Sequence, residues 1–152
     1  MDGKFIIVEG ELDRQLLAAI LPALPAHIKL VAAGGYSAAL SKAATVLAYL
    51  HQDALLALDT DTTDDQAALE KQQFVYDYLK GSRNGNQFEL TLFRPTLLDY
   101  LTGYMDVMTD GEIITTRKPA KERIQEVLAA ADLTKYWELP AIKSIVAFAQ
   151  QS

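Results

Sequence analysis

Three short apolar runs, each stopped by an acid or by glycine and each followed by a stretch of helical periodicity, restrict this chain to few folds. Phe5-Ile6-Ile7-Val8 is apolar throughout and β-branched from Ile6 on, the mark of a strand buried on both faces. Gly10 breaks it. Leu12, Leu16, Leu17, Ile20 and Leu21 then recur at helical spacing, and Pro22 and Pro25 end that segment. The run from Ile28 to Ala33 is a second strand, closed by Gly34-Gly35. Ser37 is the expected N-cap of a second helix, with Ala39, Leu40, Ala43, Val46, Leu47 and Leu50 on its buried side. Ala54 to Leu58 is the third strand, halted by the polar stretch Asp59-Thr60-Asp61-Thr62-Thr63-Asp64-Asp65. A third helix from about Asp64 to Leu79 follows from the spacing of Ala68, Leu69, Gln72, Val75, Tyr76 and Leu79.

Gly81-Ser82-Arg83-Asn84-Gly85-Asn86 is the strongest turn signal in the chain. After it, Phe88, Leu90, Leu92 and Phe93 predict a fourth strand that Pro95 ends. Thr96 to Met108, rich in leucine and tyrosine, reads as a helix, and Asp110-Gly111 as a turn. Pro119 to Ala131 predicts a helix with Ile124, Val127 and Leu128 inward. A last helix begins near Pro140, docked by Ile142, Ile145, Val146 and Phe148.

Strand–helix alternation with short connections predicts an α/β fold: a mainly parallel four-stranded sheet, helices on both faces, and additional C-terminal helices. Residues 1–95 form the core and 96–152 a helical extension packed on it, in one domain. A length of 152 residues suits a single core. Parallel sheets carry their functional groups at the carboxyl ends of their strands. Here those ends are Glu9, Gly34-Gly35, and Asp59 with Asp61.

Composition narrows the chemistry. The chain has no cysteine, so disulfides and thiolate metal sites are excluded, and any metal is held by oxygen or by the two histidines. The apolar start is short and followed at once by acid, which fits neither a signal peptide nor a membrane span. A cytoplasmic setting without membrane attachment is the expectation. The net charge of −6 argues against wrapping nucleic acid by bulk electrostatics, yet a site for divalent cations must itself be acidic.

Asp59 and Asp61 lie two residues apart as a strand ends, a spacing that shares a strand face. Carboxylates held close raise each other's pKa unless a cation lies between them. Magnesium suits such a place: it takes hard oxygen ligands, keeps several waters and needs few protein carboxylates. Glu9 reaches the same site if the first and third strands are neighbours, as a ligand or as a general acid or base. Asp13, one turn into the next helix, is a candidate either to support the ligands from behind or to bind a second metal. A lone D-x-D is also explained by helix capping, for which Asp61, Thr62, Asp64 and Asp65 all qualify. Three acids at the ends of predicted parallel strands are harder to explain that way.

Val8-Glu9-Gly10-Glu11-Leu12-Asp13 after an apolar strand resembles the opening Toprim motif, and Leu56-Ala57-Leu58-Asp59-Thr60-Asp61 resembles the second, a strand ending in D-x-D. Gly34-Gly35 is similar to the glycine that ends the intervening strand. The resemblance covers about residues 4–95 and is greatest to the OLD-family and small stand-alone Toprim proteins. It implies that Glu9 is the general acid or base and that Asp59 and Asp61 bind magnesium, or manganese in its place. It implies that Asp13 is a further metal ligand, by its place four residues after Glu9. The implied activity is phosphodiester chemistry on DNA or RNA, as a small nuclease with nucleic acid, and a separate ATPase, as partners. A lysine beyond the core also contributes in OLD-type nucleases. Lys118 and Lys121 are the candidates by location, and Arg117 and Lys118, just before a helix, are the best placed for phosphate contact.

Two other functions fit the same residues. One is a non-catalytic binding or regulatory module that keeps the fold. The other is a phosphatase of the haloacid-dehalogenase kind, in which Asp59 is the nucleophile and Asp61 the acid–base within Asp59-Thr60-Asp61-Thr62. That motif usually lies on the first strand of its domain, which ranks it lower here. Arg14, Lys42, Arg83, Arg94 and Arg123 complete a set of cations for a phosphate-binding rim, although solvated surface charge explains most of them.

Overall fold

A computed structural model describes residues 3–102, 107–109, 112–114, 120–129 and 132–150, with side chains over 3–101, 122–129 and 132–150. Strands and helices alternate as β1 (Lys4–Val8), α1 (Glu11–Ile20), β2 (Ile28–Ala32), α2 (Tyr36–Ala48), β3 (Asp53–Asp59), α3 (Asp65–Leu79) and β4 (Phe88–Phe93). These four strands form one parallel sheet in the order β2-β1-β3-β4. The chain is therefore an α/β protein, and the first and third strands are neighbours. Val8 lies opposite Ala32 on one side and Ala57 on the other, so the strands end nearly level.

Alternation along the central strands supplies two cores. Ile6 and Val8 of β1 with Leu55 and Ala57 of β3 face α1 and the C-terminal helices, meeting Leu16, Leu17 and Ile20. Phe5 and Ile7 with Ala54, Leu56 and Leu58 face α2 and α3, meeting Ala43, Leu47, Val75 and Leu79. Strands covered on both sides need apolar residues at every position, which is why β1 and β3 read as continuous apolar runs.

The remainder comprises α4 (Leu97–Thr102), β5 (Val107–Thr109), β6 (Glu112–Ile114), α5 (Ala120–Leu128), a 3₁₀-helix (Leu133–Glu138) and α6 (Pro140–Gln150). Ile142, Ile145 and Phe148 seat α6 on the sheet. Lys4 ties the first strand to this last helix. Its buried Nζ donates to the Phe148 carbonyl at 2.9 Å and lies 5.0 Å from the centre of the Phe148 ring, a cation at a helix C-terminus. Trp137 Nε1 donates to the Ile20 carbonyl at 2.6 Å, fastening the 3₁₀-helix to the end of α1.

Several local expectations are corrected. Helix α2 starts one residue before Ser37, with Gly35 as its N-cap, because Gly34 and Gly35 turn the chain at φ of 98° and 140°. Leu12, Leu50, Leu69, Gln72, Tyr76 and Leu128 are exposed rather than buried. Leu12 stands in the first turn of α1, just past the end of its strand, where no neighbour covers it. The apolar stripe of α3 narrows because this helix flanks the edge strand β4, against whose Phe88 Tyr76 packs edge-on.

Of the helix expected over Thr96–Met108, the described residues show Leu97–Thr102, and Val107–Thr109 instead pairs antiparallel with Glu112–Ile114. Valine, isoleucine and threonine in these two segments favour an extended backbone. Asp110-Gly111, the expected turn, lies outside the described residues. Among the described residues, no helix is long and apolar enough to cross a membrane.

Candidate functional site

The carboxyl edge of the sheet gathers three of the four acids that the sequence singles out. Glu9 follows the last residue of β1, and Asp59 ends β3 next to it. The Asp59 N–H donates to Glu9 Oε2 at 3.0 Å. Asp59 Oδ1 in turn accepts from the Leu97 N–H at 2.7 Å, at the start of α4. Asp13 bends back in the first turn of α1, where its Oδ2 accepts from the Gly10 N–H at 3.3 Å. Each carboxylate thus spends one oxygen on a backbone amide. Among the described residues, the second oxygen of each accepts no hydrogen bond.

The loops beneath are fastened to each other. The N–H groups of Gly34 and Gly35 both donate to the Glu9 carbonyl at 2.8 Å. The positive φ of both glycines brings two consecutive amides onto one oxygen, which L-residues rarely achieve. Thr60 N–H donates to Phe93 O at 2.9 Å and Asp61 N–H to Pro95 O at 2.8 Å, so the β3 and β4 exits are bound together as well.

The electrostatics are those of crowded acids. Burial pushes the Asp59 carboxyl up to about 7; the negative charges of Asp13, Glu9 and Asp61 add to this, and the Leu97 amide opposes it. Burial also raises Glu9, against the Asp59 amide and the charge of Lys71, while Asp61 and Asp13 push the same way as burial. Asp13 is raised by burial, with the Gly10 amide opposing and Asp61 adding. Protons are therefore held more tightly here than on ordinary carboxylates.

Asp61 is placed differently from its neighbours. Strand β3 stops at Asp59, and Asp61 sits in left-handed backbone at φ 57°, so strand alternation does not carry it onto the face of Asp59. Its Oδ2 lies 3.9 Å from Lys71 Nζ. The capping role falls to Asp64, whose Oδ2 accepts from the Ala67 N–H at 2.8 Å to start α3.

Three of the other nominated cations are paired with acids outside this set. Arg14 pairs with Glu11 and Arg94 with Asp65. Arg123 is not a rim residue at all: it is buried and paired with the buried Asp99. Arg117 and Lys118 lie outside the described residues, as does the side chain of Lys121. Among the described residues, Lys71 is the basic residue that reaches the site. Its Nζ donates to the Asp59 carbonyl and stands 4.4 Å from the centre of the Tyr36 ring. The sequence held a signal for it. Lys71 lies three residues after Ala68 and four before Val75, on the stripe that α3 buries.

Comparison with family models finds no match for this chain, and neither the curated proteins nor the solved structures give one.

The chemistry of the donor set suits a hard divalent cation: three partly buried carboxylates, each anchored through one oxygen, in an acidic corner. As they stand, no three acids or histidines among the described residues are drawn tightly enough to grip a single ion. Glu9, Asp13 and Asp59 are the residues that could hold one, by turning their second oxygens inward.

Proposed function

We propose that this chain is a Toprim-type domain that performs magnesium-dependent phosphodiester chemistry on nucleic acid, as a small nuclease of the cytoplasm. The observation that carries the reading is the meeting of Glu9 and Asp59. They are fifty positions apart in sequence and joined at 3.0 Å where β1 and β3 leave the sheet. Asp13 stands close enough for its charge to act on Asp59. Burial, with the repulsion of neighbouring acids added to it, raises the proton affinity of all three.

In this reading Glu9 moves a proton at the reacting phosphodiester, for which a carboxyl with raised proton affinity is suited. Asp59 and Asp13 would hold the cation, with Asp61 and Lys71 beside them. A bound magnesium or manganese ion supplies charge neutralisation at the scissile phosphate. The backbone bonds to Gly10, Asp59 and Leu97 fix the carboxylates and limit the reorganisation needed.

Incubation of the purified chain with supercoiled plasmid and with single-stranded RNA, in magnesium or manganese, tests this. Cleavage that disappears in Asp59→Asn and Glu9→Gln supports it. Wild-type protein that never cuts either substrate with either metal sinks it.

One observation favours a second reading, a non-catalytic module. The same three carboxylates each satisfy a backbone amide, a structural duty that would preserve them without any reaction. A chain that binds the cation yet cuts nothing, alone or with a partner ATPase, would decide for the module.

A further inference from the structure

The acidic corner already contains one cation of its own. The Lys71 side chain is only 17% exposed, and three groups hold its ammonium: the Asp59 carbonyl, the Asp61 carboxylate at 3.9 Å and the Tyr36 ring at 4.4 Å. A carbonyl and an aromatic face on an ammonium leave it little freedom to swing into solvent. Lys71 is also a compact point charge, closer in kind to a metal ion than the spread charge of an arginine.

We propose that Lys71 is a built-in second cation of this site, so that the corner accepts one divalent ion and not two. The inference rests on the metal reading above and deepens it. Asp61 is then the partner of Lys71, and the exchangeable ion falls to Asp13 and Asp59, with Glu9 beside it. The distribution of charge agrees. Lys71 relieves Glu9 and lies beside Asp61, whereas the charges acting on Asp59 are those of Asp13, Glu9 and Asp61, all negative. A divalent ion placed next to Asp61 would meet the ammonium at close range, and two like charges at a few ångströms repel strongly in a partly buried corner. Lys71 is thus a positioning residue: it selects which acids receive the ion.

Manganese stoichiometry, read by calorimetric titration and by the loss of free-ion spin resonance signal, tests this without any activity. Wild-type protein is expected to bind one ion, and Asp59→Asn to lose it. Lys71→Gln is expected to gain a second binding event, which Asp61→Asn on the same background removes. Lys71→Arg, which keeps the charge, is expected to bind one.

Wild-type protein that binds two ions overturns the proposal, and so does a folded Lys71→Gln that still binds one. Either result leaves the metal reading standing. A wild type that binds none, or an Asp59→Asn that still binds its ion, removes the metal reading and this inference with it. Should Lys71→Gln fail to give a cooperative melt, the wild-type count decides, one ion supporting the proposal and two overturning it.

Discussion

The carboxylate of Glu9 accepts the backbone N–H of Asp59 at 3.0 Å, so the residue that leaves β1 holds the residue that ends β3. This contact does structural and electrostatic work together. It satisfies an amide where the ladder between the strands has run out, and it brings two acids within reach of each other. Glu9→Ala leaves that half-buried amide without its acceptor and is expected to cost about 1–2 kcal/mol in urea unfolding. Glu9→Gln keeps a carbonyl oxygen for the amide and is expected to stay within about 0.5 kcal/mol of wild type. Equal losses in both variants would mean that charge, and not the hydrogen bond, sets the contribution of Glu9.

Asp59 makes stability depend on pH in an unusual direction. Its carboxyl moves from 3.8 to about 7 on folding, so the folded chain binds this proton more tightly than the unfolded one. The contribution is fully present below about pH 4 and is lost as pH rises through 7, where the folded carboxyl ionises. In chelator, the melting temperature is expected to fall between pH 5 and pH 8, and in Asp59→Asn this fall should shrink, leaving the part that Glu9 and Asp13 contribute. At pH 8 the variant is expected to melt on the order of 3–6 °C higher, the effect of about 1–2 kcal/mol at this chain length after solvent screening. Thermal melts of both proteins at several pH values check it, and parallel curves would show that Asp59 is not the group responsible.

The paired glycines offer a test of backbone geometry alone. A Cβ on Gly34 or Gly35 would meet nothing within 4 Å, so a substitution there is free of collision. Their φ angles of 98° and 140° still exclude ordinary side chains. Gly35→Ala is expected to destabilise by about 1–3 kcal/mol, through strain and through loss of the amide pair on Glu9 O. Gly81→Ala, equally open but without a positive φ, is the control and is expected to change little. A neutral Gly35→Ala would show that the loop relaxes without needing that turn.

How much of this was legible in the sequence varies along the chain, for physical reasons. The parallel core announces itself because strands such as Ile6-Ile7-Val8 and Leu55-Leu56-Ala57-Leu58, covered on both faces, permit no polar position. Glu9, Asp13 and Asp59 were readable because chain order places them at strand ends and in a first helical turn. The direction of Asp61 is not legible in its spacing, since strand alternation stops where β3 does and Asp61 itself takes left-handed backbone. Lys71 does not stand out in the sequence because Gln72, one residue on, fits the same helical spacing. The β5–β6 pairing was obscured by the leucine and tyrosine before it, although Asp-Gly between β-branched residues is a hairpin signal.

Arg123 shows how a basic residue can mislead when only its charge is read. It was a candidate for binding phosphate, yet its side chain is buried on α5 and paired with Asp99 on α4, whose own side chain is almost wholly enclosed. Pairing two buried charges joins α4 to α5, and removal of one partner takes that ion pair from the other in a low-dielectric setting. Asp99→Asn and Arg123→Met are each expected to destabilise by about 3–5 kcal/mol. Asp99→Leu combined with Arg123→Met removes both charges and is expected to recover much of that loss, because apolar replacements need no desolvation of ions. Denaturant unfolding of the singles and the double gives the coupling energy directly. A double variant as unstable as the sum of its singles would show that the two residues act independently, and that the ion pair is not what holds α4 against α5.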